Sequence, residues 1–112
     1  MKKIVLTLVA MMAFTLTFAE TKNAERFDMS VNMHRLAVLL DLNEWQMEAV
    51  EAIHNSFNDE VQGLSSVRGP KCRHMVHEAV RKNFSQMHRV LNDKQLNTYM
   101  LLIGTTLRNR HL

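Results

Sequence analysis

The segment Leu42-Asn43-Glu44-Trp45-Gln46-Met47-Glu48-Ala49-Val50 carries its own start signal for a helix. Asn43 is a strong N-cap residue, whose side chain can accept from the free N–H groups of the next turn. Gln46, three residues on, can reach back to the cap backbone, which completes a capping box. Leu42 and Met47 stand at the positions of a hydrophobic staple, and Glu44 places negative charge at the positive end of the helix dipole. From there Ala49, Val50, Ile53, Phe57, Val61 and Leu64 keep the three-and-four spacing of an amphipathic helix. Gly63 with Ser65-Ser66 supplies the stop.

The same signal recurs about fifty residues later as Leu91-Asn92-Asp93-Lys94-Gln95-Leu96. Asn92 and Gln95 form the second capping box, and Leu91 with Leu96 the second staple. A fourth helix follows from Asp93 to about Arg108, with Leu96, Tyr99, Met100, Ile103 and Leu107 on one face. Upstream of each motif lies another helical pattern. Met29, Met33, Leu36, Ala37 and Leu40 predict a first helix over Asp28 to Leu40, and Val76, Val80, Phe84, Met87 and Leu91 predict a third over Lys71 to Leu91. Gly69-Pro70, which holds the chain's only proline, marks the turn between the halves. No stretch alternates with period two, so the expected fold is all-α: about four helices in two bent or hairpin pairs.

Two LNxxQ motifs in a small helical chain resemble the signature of the Spy/CpxP family of periplasmic proteins, a duplicated LTxxQ motif. Leu42, Asn43 and Gln46, and Leu91, Asn92 and Gln95, match it with Asn in place of Thr, both good N-cap residues. The resemblance covers most of the chain in architecture, and its specific content is those two motifs. It implies a thin, curved, antiparallel homodimer that holds unfolded or misfolded envelope proteins without ATP. Some members of the family regulate envelope-stress signalling or bind zinc.

The beginning of the chain fits export. Met1-Lys2-Lys3 is a positive n-region, and Ile4 to Phe18 is an apolar run short of the roughly 20 residues that span a bilayer. Thr17 and Ala19 occupy the small-residue cleavage positions, and Glu20 in place of Cys closes the lipoprotein route. The expectation is a signal peptide over residues 1–19, one helical domain over residues 20–112, periplasmic location and no stable membrane insertion after cleavage. A domain of that size has a modest core and gains from a partner, which makes a homodimer reasonable. The single Cys72 is then either a buried free thiol or a link between two chains.

Charge divides the chain. Glu20 to Ser66 holds three basic and nine acidic residues, a net of −6, whereas Val67 to Leu112 holds nine basic and two acidic, a net of +7. Either an acidic helix packs beside a basic one, or a positive surface draws in anionic clients or headgroups. Nucleic acid is not an expected partner, because stacking aromatics do not interleave the basic residues.

The candidate contact residues are Trp45, Met47 and Met87. Thioethers repack cheaply on varied surfaces, although Met33, Met47, Met87 and Met100 can equally fill a core. Trp45 sits inside a capping motif in the first turn, a hard place to bury an indole. Six histidines are many for 112 residues, and Cys72, His74 and His77 crowd one helix start. Thiolate and imidazole suit zinc or copper, which makes a metal-binding or metal-sensing protein the second reading. A third is a non-catalytic adaptor that meets a sensor protein through its acidic or basic face. Catalytic signatures are missing: the chain has no nucleophile elbow, no HExxH, no phosphate loop and only three glycines, so an enzyme is not expected.

Overall fold

A computed structural model describes residues 25–112, and the leader and its cleavage site fall outside them. Four helices follow in order: α1 (Met33–Leu40), α2 (Glu44–Gln62), α3 (Pro70–His88) and α4 (Asp93–Asn109). Among the described residues there is no strand, and no helix is long and apolar enough to cross a membrane. The all-α class read from the sequence is the class observed.

Both capping boxes form. Asn43 Oδ1 accepts from Gln46 N at 2.9 Å while Gln46 Oε1 accepts from Asn43 N at 3.2 Å. Asn92 Oδ1 and Gln95 Oε1 repeat the exchange at 2.8 and 3.0 Å. Each cap satisfies two of the N–H groups that a helix start leaves without partners. Replacing either Asn43 or Asn92 by alanine should therefore lower stability by about 1 kcal/mol in urea unfolding, with the activity of the fold otherwise intact.

Two helix limits depart from the sequence reading. The first helix starts at Met33, not Asp28, because Asn32 caps it through Arg35 N and because the amide of Met29 is taken by Asn58 Oδ1 of α2 at 2.7 Å. A side chain from another helix has outcompeted local helical pairing. The third helix ends at His88, not Leu91; Arg89 and Val90 form turn backbone that brings Leu91 to the next cap. At the end of α1 the chain turns through Asp41 in the left-handed region (φ 55°), where Leu42 N returns to Ala37 O at 2.9 Å. Asp tolerates that conformation better than most residues.

α2 and α3 run antiparallel. Gln46, at the start of α2, bonds to Val90 just beyond the end of α3, and Cys72, at the start of α3, bonds to Leu64 just beyond the end of α2. The principal dimensions of 42 × 36 × 19 Å describe a plate about two packed helices thick. Its core is Phe27, Met29, Leu36, Leu40, Val50, Phe57, Val61, Val76, Val80, Met87, Tyr99 and Ile103 with their neighbours. α2 packs most extensively on α3, so the acidic helix does lie beside the basic one. Glu60 and Lys82 pair across that seam at 3.5 Å, both substantially exposed.

Candidate functional site: a reciprocal glutamine clasp and its apolar rim

The two LNxxQ motifs, far apart in sequence, meet. Gln46 Nε2 donates to Gln95 Oε1 at 3.0 Å, and Gln95 Nε2 faces Gln46 Oε1 at 3.4 Å. Each glutamine also donates to the carbonyl two residues before the other motif's cap: Gln46 to Val90 at 3.0 Å, Gln95 to Asp41 at 3.2 Å. Gln95 adds a bond to Leu40 O at 3.0 Å. Each side chain therefore caps its own helix start through Oε1 and the end of the other half's preceding helix through Nε2. The two helix starts are therefore equivalent residue by residue at the motif, although the helix before the first has 8 residues and the helix before the second has 19.

Bulky apolar side chains close to the two motifs in sequence stand open to solvent. Val38 (71 %) and Leu39 (58 %) precede the first motif, Trp45 (58 %) and Met47 lie within it, and Met100 and Leu101 (70 %) follow the second by less than two turns. Of the expected contact residues, Trp45 and Met47 are thus exposed. Met87 has no exposed surface and fills the core, which removes it from any contact surface of the folded chain.

The residues proposed for metal do not converge. Cys72 is a buried free thiol whose Sγ donates to Leu64 O at 3.7 Å. His74 and His77 lie on the opposite, exposed side of α3, and His77 Nε2 bonds to Leu112 O at 3.0 Å. The cause is helical geometry: positions i and i+2 diverge by about 200°. Among the described residues no three His, Cys, Asp or Glu side chains are grouped to hold an ion.

Sequence reasoning missed a buried polar chain. His54, Tyr99 and Asn83, each essentially without exposed surface, link α2, α4 and α3. His54 Nε2 meets Met29 O at 2.5 Å, His54 Nδ1 meets Tyr99 Oη at 2.8 Å, and Tyr99 Oη meets Asn83 Oδ1 at 2.9 Å. A carbonyl only accepts, so Nε2 carries hydrogen. A neutral ring then has a bare Nδ1, which needs the single Tyr99 proton, and Tyr99 in turn needs a donor from Asn83. Asn83 Nδ2 is the buried polar atom left without a partner, and turning the amide over supplies that donation. A charged ring runs the chain the other way, from Nδ1–H through Tyr99 to Asn83 Oδ1. Burial holds the His54 pKa below its ordinary value, against the opposing effect of the Met29 carbonyl, and burial pushes the Tyr99 phenol upward. The signal available in the sequence was polar residues on apolar stripes: His54 between Val50 and Phe57, and Asn83 between Val80 and Met87.

Compared with known proteins, the chain matches no family model, no curated protein and no solved structure.

Proposed function

We propose that this is an exported, ATP-independent chaperone or envelope-stress protein of the Spy/CpxP kind, acting as a homodimer that holds unfolded clients. The observation that carries the reading is the clasp: two LNxxQ helix starts joined glutamine to glutamine, with Val38, Leu39, Trp45, Met47, Met100 and Leu101 exposed within two turns of one motif or the other. A client without fixed shape is best met by apolar side chains that repack, set among charges that raise encounter rates. Exposed carboxylates Glu44, Glu48 and Glu51 share α2 with Trp45 and Met47, so the apolar rim is interrupted by charge, which keeps the free protein dispersed.

Trp45 is the only tryptophan, which makes it a direct reporter. Titration with a reduced, tryptophan-free unfolded client should shift its emission to the blue and protect it from iodide quenching. Unchanged emission at saturating client would remove Trp45 from the contact surface.

A further inference from the structure

At the end of the plate away from the clasp, the α2–α3 loop, residues 26 and 27 and residues 111 and 112 line a half-open concavity of about 560 Å³, within the usual size range of small-molecule sites. We propose that it binds a free amphiphilic anion, a phosphate or carboxylate head on a short apolar chain.

Arg26, Arg68 and Arg73 contribute to the wall together with His111, and no aspartate or glutamate does. Arg68 and Arg73 make no ion pair and no side-chain hydrogen bond among the described residues, although α2 is rich in exposed carboxylates. Arg26 is fixed by its Nε and one Nη on the carbonyls of Arg110 and His111, both at 2.9 Å, which leaves its other Nη with hydrogens to donate. Three permanent cations around one concavity concentrate a positive potential, and the planar forks of arginine suit carboxylate and phosphate oxygens.

The start of α3 adds to that field. It is the one described helix without a side-chain N-cap bond; its cap is Gly69 at φ 76°, and Gly69, Cys72 and Arg73 all line the cavity. Apolar Phe27, Val67 and Leu112 line the same space, so the ligand's second part is hydrocarbon. The neighbouring concavity, where Glu25 and Asp28 sit with Arg26 and Arg110, mixes both signs and offers no such selection.

The test uses octyl phosphate, inorganic phosphate and octanol as separate probes in calorimetric titrations. Octyl phosphate should saturate one site per chain, inorganic phosphate should bind more weakly, and octanol more weakly still. Arg68→Ala/Arg73→Ala should weaken octyl phosphate by about ten-fold or more, whereas Arg81→Ala, on the exposed side of α3, should leave it unchanged. Occupancy should also slow alkylation of Cys72 by iodoacetamide, a readout independent of heat. Equal affinity in the double arginine variant, or octanol binding as tightly as octyl phosphate, would overturn the proposal. So would capture by phosphatidylglycerol vesicles without any binding of dispersed octyl phosphate, since the anion would then be read on a bilayer.

Discussion

Tyr99→Phe is expected to lower unfolding stability by about 2 to 4 kcal/mol, far more than the loss of one hydroxyl on a surface. The ring itself is kept, with its edge contacts to His54 and Phe84 at centroid distances of 6.0 and 6.1 Å. What disappears is the only group that can serve both His54 Nδ1 and the Asn83 amide, and each buried polar atom left alone costs about 1 to 3 kcal/mol. A typical domain is held by only about 5 to 15 kcal/mol, so the urea midpoint should drop steeply. A loss below about 0.5 kcal/mol would show that His54 and Asn83 find other partners.

The same chain gives an acid dependence whose sign follows from linkage. The His54 pKa is lowered in the folded protein by burial, and no charged side chain offsets this; the facing groups are the Tyr99 phenol, the Asn83 amide and the Met29 carbonyl. Above about pH 6.5 the imidazole is neutral in both states and its contribution is complete. As pH falls below that value the unfolded chain takes up a proton that the folded chain refuses, so stability declines by up to about 1.4 kcal/mol per unit until the folded pKa is reached. His54→Gln should flatten that part of the profile. Persistence of the slope in the variant would show that His54 is not its source.

The second large effect is expected at Gln95. Gln95→Ala removes donations to Leu40 O, Asp41 O and the Gln46 side chain together with the acceptor for Asn92 N, one half of the α4 capping box, and leaves the carbonyls at the end of α1 without that partner. The loss should be about 2 to 3 kcal/mol. Gln46→Ala should cost less, about 1 to 2 kcal/mol, because Gln46 is only half-buried and serves a single carbonyl, that of Val90. Combined, the two should fall short of additivity by about 1 kcal/mol, the coupling expected of side chains in direct contact. Strict additivity would mean that each glutamine serves only its own helix.

Local chemistry explains what could be read without coordinates. The starts of α2 and α4 are legible because a capping box involves residues three apart, and Asn43 with Gln46 announces itself within one turn. Met29 misled the reading for the opposite reason: its spacing to Met33 and Leu36 is helical, yet Asn58, twenty-nine residues away, holds its amide. Cys72 and His74 looked close because sequence distance ignores the angle between neighbouring positions on a helix. The clasp could not be foreseen at all, since nothing in either motif states that Gln46 and Gln95 cap each other's halves. The cationic cavity likewise depends on Arg26 meeting carbonyls of residues 110 and 111 from the far end of the chain.

The most direct measurement of client holding is light scattering from a chemically denatured, diluted client in the presence of residues 20–112 without nucleotide. Aggregation should be suppressed near one homodimer per client, and less so when Leu39, Trp45 and Leu101 are replaced together by serine in a chain that still unfolds cooperatively. Scattering unchanged by the wild-type chain at several-fold excess would contradict client holding.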